Sequence, residues 1–217
     1  MTGVSGVSSQ PTTSRPIRCT TCSQPLESPI CCTSCGQLNA DPIGRCSYFE
    51  LFGLPVDFDI DEQSLHRTYL SLTRSVHPDV AGHASQEKRH DALAISSEMN
   101  RAYLTLRDPV LRAEYLLSLV GEPGTSEDRA VSPDLLGEVM TIREEIEEAR
   151  QAGDQASLED LKQQVAAKQQ ACMESIVSLA RALVEKPDAR RALRRQLNAI
   201  KYWNNLMDRL LPGSDGV

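Results

Sequence analysis

Two residues separate Cys19 from Cys22, Cys32 and Cys35 repeat that spacing, and nine residues separate the pairs. A Cys-x-x-Cys pair can put two thiolates on one ion, and two such pairs close a tetrahedral site. Five of the seven cysteines lie between Cys19 and Cys35. No apolar segment of the secretory kind precedes them, so the clustering points to metal rather than disulfides. Gly36 suits the tight turn that follows such a pair. Residues 19–40 carry little apolar content, and bound metal is the expected source of their folding energy. Structural zinc is the first expectation, and iron or an iron–sulfur cluster is the alternative that thiolates also allow. Four cysteine ligands leave no open position, so catalytic zinc is not expected. Cys31 could replace Cys32, with three residues instead of two before Cys35; Cys46 and Cys172 stand apart and read as structural.

A second constellation is His77-Pro78-Asp79, placed where one helical pattern ends and before another begins. Proline narrows the loop's conformations, so His77 and Asp79 lose less entropy when a partner docks. A turn with a capping role is the plainer use of the same residues. The chain has no GxxxxGK[ST] glycine loop to cradle a nucleotide, which argues for a binding role rather than an enzymatic one. His66, His83 and His90 have no companion at metal-ligand spacing and read as surface residues.

The elements that must hold these groups are helical throughout. A short helix is expected over about Ser47–Gly53, closed by Gly53 and Pro55. The next starts near Asp61, carries Leu65, Tyr69, Leu72 and Val76 on one face, and stops at Pro78. A third, about Gln86–Leu106, is expected to turn Leu93, Met99 or Ala102, Tyr103 and Leu106 inward. Asp108-Pro109 opens a fourth, ending near Val120. A Gly/Pro/Ser-rich linker follows over 121–132. Three more helices then read as an antiparallel bundle over 133–211. Their stripes run through Leu135, Val139, Ile142, Ile146 and Ala149; through Leu158, Leu161, Val165, Cys172, Ile176, Leu179 and Leu183; and through Leu193, Leu197, Ile200, Met207 and Leu211. Residues 1–18 and 212–217 read as tails, and no internal repeat stands out.

Several blocks occur together around the tripeptide: Tyr48-Phe49-Glu50-Leu51-Phe52-Gly53-Leu54, Tyr69, Asn100-Arg101-Ala102-Tyr103, Asp108-Pro109 and Arg112-Ala113-Glu114-Tyr115. In that order, over 46–120, they resemble the J domain of the DnaJ group. The Gly/Phe-rich stretch and β-rich client domains of generic DnaJ proteins do not follow. Instead Arg112 to Leu119 leads to the segment Asp134–Glu148, and this looks like the HscB family, Jac-type in mitochondria. The resemblance runs from about Tyr48 to Leu211. It implies an all-α protein, a J-domain hairpin and a C-terminal three-helix bundle preceded by a small zinc-ribbon-like segment; some family members carry a similar four-cysteine module.

The same resemblance implies a co-chaperone that stimulates the ATPase of a 70-kDa heat-shock chaperone through His77, Pro78 and Asp79, with Arg67 and Arg74 beside them. Val80 stands where Lys or Arg is common in J domains, which points to a dedicated chaperone partner. It further implies delivery of an iron–sulfur scaffold protein of the IscU type, bound through Leu136, Gly137, Met140, Thr141 and Tyr202. Leu136 and Met140 share a helix face by their i, i+4 spacing and lie off the core stripe. The family often has a larger residue at Gly137 and an acid at Thr141. A general J protein serving other clients, or a zinc-ribbon adaptor without chaperone activity, are the rival readings.

Composition sets the outer limits. Net charge is −7 with no long basic run, which argues against nucleic acid as a partner. No apolar stretch approaches the roughly 20 residues of a membrane helix. Aromatics make up 4% against 40% hydrophobic residues, so the cores must be aliphatic. The Ser/Thr-rich start, with Arg15 and Arg18 and no acids before Cys19, reads as a bacterial cytoplasmic protein's tail; a mitochondrial matrix presequence is the eukaryotic alternative.

Overall fold

The computed structural model describes residues 18–26, 28–32, 34–76, 86–122, 130–183 and 186–211. The tripeptide His77-Pro78-Asp79, His83, both tails except Arg18, and most of the 121–132 linker lie outside the described residues. Seven α-helices and no strand occur among the described residues, in agreement with the all-α expectation: α1 Tyr48–Leu51, α2 Glu62–Val76, α3 Gln86–Arg107, α4 Pro109–Leu119, α5 Pro133–Ala152, α6 Gln155–Arg181 and α7 Pro187–Leu210.

Local chemistry sets where these helices begin and end. Ser47 and Glu50 form a reciprocal capping box on α1. Asp61 Oδ1 accepts from the N–H groups of Gln63 and Ser64 at the start of α2. Asp108 caps α4 and Ser132 caps α5, each ahead of a proline at the first helical position. Asp154 caps α6 after Gly153 has closed α5 at φ +69°, a left-handed conformation that costs glycine little.

The chain divides into two compact units. The first comprises the residues up to Val56 with Ile60–Leu106, and so holds the cysteine segment and α1–α3. Its helices α2 and α3 run side by side: His66 Nδ1 meets Tyr103 Oη at 2.9 Å, Tyr69 Oη donates to Asn100 Oδ1 at 2.9 Å, and the Tyr69 and Tyr103 rings stack at 4.1 Å. The partner number falls from 103 to 100 as position rises from 66 to 69, which makes the pair antiparallel. Leu65, Leu72 and Val76 fill the core from α2, and Ala92, Ile95, Met99, Ala102 and Leu106 fill it from α3. Leu93 is 65% exposed, contrary to the sequence expectation. The buried positions of α3 define a face that leaves Leu93 nearly opposite it at 100° per residue.

The second unit comprises Asp57–Asp59 and the chain from Arg107 onward, with α4–α7. α6 and α7 pack along each other, and α4 and α5 each lie against both. Ile142 and Ile146 from α5, Val165, Cys172 and Ile176 from α6, and Leu193, Leu197 and Ile200 from α7 form its centre. On α7 the expected stripe is displaced at its end. Trp203 and Leu206 are buried where Met207 is half-buried and Leu211, beyond the helix, is 45% exposed. Phe58 is buried beneath the guanidinium of Arg112, 4.9 Å from the ring centroid. Asp59 accepts two-pronged hydrogen bonds from Arg181.

Candidate functional site

The sulfurs of Cys19, Cys22, Cys32 and Cys35 lie within 4.8 Å of one another. The close pairs run between the two Cys-x-x-Cys turns, Cys19 to Cys35 at 3.7 Å and Cys22 to Cys32 at 3.6 Å. Four sulfurs placed tetrahedrally at roughly 2.3 Å from one ion are about 3.8 Å apart, so this donor set fits a single zinc or iron ion. No disulfide joins any of the seven cysteines. Cys31 stays outside the cluster, which answers the alternative in which it replaces Cys32.

The two turns are copies of one another. Cys19-Thr-Thr-Cys-Ser-Gln24 and Cys32-Thr-Ser-Cys-Gly-Gln37 match closely in sequence, a short repeat missed when longer periods are sought. Cys19 N donates to Gln24 O at 2.8 Å and Ser23 N to Cys19 O at 2.9 Å; Cys32 N donates to Gln37 O at 2.9 Å and Gly36 N to Cys32 O at 2.8 Å. The fifth residue of each is left-handed, Ser23 at φ +60° and Gly36 at φ +72°. Such turns aim backbone N–H groups at sulfur. The N–H groups of Cys22 and Thr21 lower the Cys19 thiol to about 6, and those of Cys35 and Ser34 lower Cys32. The N–H of Gln37 also favours the Cys35 thiolate, but Cys22, burial and the other two sulfurs outweigh it and push that thiol up to about 12. Cys22 is likewise raised, with the Gln24 N–H opposed chiefly by burial. Four thiolates this close repel one another, and a cation among them would offset that repulsion.

Between the turns, the segment Ser28–Cys31 sinks into the first unit. Ser28 Oγ donates to the Leu51 carbonyl at 2.7 Å, Ile30 is fully buried and Cys31 is 2% exposed. Cys31 lies beside Ser75 in the last turn of α2, and its thiol is pushed up mainly by burial. Sequence reading credited residues 19–40 with no core. Ser28 was missed because its partner, Leu51, lies on α1 beyond the segment, and the burial of Ile30 has no local sequence signal.

Of the other expected site residues, Arg67 and Arg74 are exposed and seven apart, hence on one face of α2, and Arg67 lies 3.8 Å from Asp61. On α5, Leu136 is 39% and Met140 61% exposed, and Gly137 and Thr141 are exposed between and beside them. Thr141 Oγ1 donates to the Gly137 carbonyl at 3.2 Å, which turns its hydroxyl toward the helix. Tyr202 on α7 is half-buried. Glu114, read only as part of a sequence block, holds a second role: Arg194 Nη1 donates to both its carboxylate oxygens.

This architecture is shared with proteins of known structure. The sequence model of the HSCB C-terminal oligomerisation domain matches residues 131–210. Chaperone HscB from Vibrio cholerae is 33% identical to this chain, over 76% of it and 95% of its own length, with a TM-score of 0.64. The chain belongs to the HscB co-chaperone family. Human co-chaperone protein HscB, 29% identical, matches 89% of this chain and 96% of its own at a TM-score of 0.70. The Jac1 co-chaperone from Saccharomyces cerevisiae, 27% identical, matches 79% and 97% at 0.52. The paired α2–α3 helices are thus the J-domain hairpin of an HscB protein, α5–α7 are its C-terminal bundle, and the four-cysteine segment precedes them.

Proposed function

We propose that this HscB-family chain recruits a 70-kDa heat-shock chaperone, stimulates its ATPase and delivers to it an iron–sulfur scaffold protein of the IscU type for cluster transfer. The observation that carries the reading is the solvent-facing pair Leu136 and Met140 on α5 of a family bundle, 39% and 61% exposed where the core stripe runs through Ile142 and Ile146. Together with Gly137, Thr141 and Tyr202 they form the proposed scaffold contact. Apolar side chains held in water at one spot are what a partner must cover.

Chaperone docking is assigned to His77, Pro78 and Asp79, which follow Val76 in sequence, with Arg67 and Arg74 on the adjoining helix face. Hydrolysis itself belongs to the chaperone. The four cysteines hold structural zinc, iron being the other ion this thiolate set accepts. Among the described residues no helix is long and apolar enough to cross a membrane. The bacterial cytoplasm is the proposed compartment, or the mitochondrial matrix for a eukaryotic source.

The test is steady-state ATPase turnover of the cognate chaperone, with this protein alone and with scaffold added. Wild type should stimulate alone and more with scaffold, and His77→Gln should stimulate in neither case while keeping its melting temperature. Stimulation by His77→Gln would remove the assigned docking mechanism. Stimulation indifferent to the scaffold would favour a general J protein, and none at all a metal-bound adaptor.

A further inference from the structure

We infer that Ser28–Cys31 is a latch through which metal occupancy of the cysteine cluster orders the ends of α1 and α2, an inference that rests on the metal-binding reading of Cys19, Cys22, Cys32 and Cys35.

The two metal-binding turns flank this segment, so the ion would fix both of its ends. Between those ends the segment engages the end of α1 through Ser28 and comes beside the end of α2 at Cys31, with Ile30 buried between them. Ser28, 1% exposed, donates to Leu51 O, a carbonyl at the C-terminus of α1 that has no helical partner of its own. Ile30 is wholly excluded from water, and its carbonyl is held by Asn39 N at 2.8 Å. Cys31 meets Ser75, one residue before the end of α2. The segment therefore touches the finishing turns of both α1 and α2, and the chain leaves α2 at Val76 directly into His77.

The latch cannot stand alone. Residues 19–40 contain one large aliphatic side chain that is fully buried, Ile30, and the backbone hydrogen bonds that shape them lie mostly inside the two turns. Without a cation, four sulfurs crowded within 4.8 Å lose the attraction that holds the turns together. Their opening frees the ends of Ser28–Cys31 and restores the chain entropy that opposed its insertion. Ile30 then leaves its site, the Leu51 carbonyl loses its donor, and the last turns of α1 and α2 fray. Loss of the ion is in this way transmitted to the root of the tripeptide segment without a change in any residue that would touch the chaperone.

Amide hydrogen exchange on the full-length protein reads this directly, with metal content measured by elemental analysis on each sample. Removing zinc with a chelator should accelerate exchange in α1 and in Leu72–Val76 by about tenfold or more, while α5–α7 keep their protection. Adding zinc back should restore it. Ile30→Ala, with Ile30→Val as the milder variant should Ala fail to fold, should loosen the same turns although one metal per chain is retained. Stoichiometric zinc whose removal leaves α1 and the end of α2 unchanged would overturn the latch and leave the metal site standing. The same holds if metal-loaded Ile30→Ala or Ile30→Val keeps full protection. A purified protein that takes up no metal would overturn the metal reading, and the latch with it.

Discussion

Arg194 on α7 reaches Glu114 on α4 with one nitrogen 2.6 and 2.7 Å from the two carboxylate oxygens, and its side chain is only 5% exposed. A guanidinium so far removed from water depends on its partner. Glu114→Ala should therefore destabilise the second unit by about 3 kcal/mol, because the charge stays buried and unpaired. The double variant Glu114→Leu/Arg194→Met should recover most of that loss. Urea unfolding of the two variants beside wild type checks it; equal losses for single and double variants would show that the pair contributes little beyond packing.

Metal content gives the second expectation. The purified protein should hold about one zinc per chain, and Cys32→Ser/Cys35→Ser should hold none. The bundle lies in the other unit, so α5–α7 should retain their helical circular dichroism in that variant. Stoichiometric metal in the double variant would refute the four-cysteine assignment.

The apolar patch of α5 separates stability from recognition. Leu136→Ala and Met140→Ala should each change stability by no more than about 0.5 kcal/mol, as exposed positions do, while weakening scaffold binding measured by calorimetry. Gly137 adds an opposite sign. A Cβ there meets nothing within 4 Å, so Gly137→Ala should stabilise the bundle by roughly 0.5–1 kcal/mol through helix propensity. A fall in melting temperature for Gly137→Ala would show that the position is more crowded than this geometry allows.

Cys172 supplies a pH dependence. Burial pushes its thiol up to about 11, above the roughly 8.5 of an unfolded cysteine. The folded state thus holds the proton more tightly, and the associated stability is fully present below about pH 8.5 and declines as pH rises toward 11. Cys172→Ala should remove that part of the alkaline decline in thermal melts between pH 8 and 10.5. In the native wild type, alkylation of Cys172 at pH 8 should lag far behind that of the same residue in denaturant; equal rates would mean the thiol is open to solvent.

Features written in neighbouring residues were legible before the structure. Ser132-Pro133 and Asp108-Pro109 announce helix starts because cap and first turn are contiguous, and the paired Cys-x-x-Cys turns announce a shared ion for the same reason. Features that depend on distant residues were not. Leu93 is a leucine in a helical pattern, and only the face chosen by Ile95, Met99 and Leu106 against α2 puts it in water. Arg194 sits in a helix rich in arginine and would be assigned to solvent without knowledge of Glu114. Ser28 and Cys31 look like loop residues until Leu51 and Ser75 come beside them. The chaperone and scaffold contacts were read from family resemblance, and the burial pattern turns Leu136 and Met140 of α5 outward.

The burial of Trp203 has a practical side. It is the chain's single tryptophan, 4% exposed on α7 in the interior of the second unit. Tryptophan fluorescence, excited selectively over the tyrosines, is consequently a reporter on α4–α7 alone. Opening of that unit should shift the emission to the red as the indole meets water, whereas events confined to the cysteine turns and the J-domain hairpin pass unseen. Spectroscopists thus have a natural way to watch one half of the molecule at a time, with ultraviolet absorbance of a cobalt-substituted thiolate site available for the other.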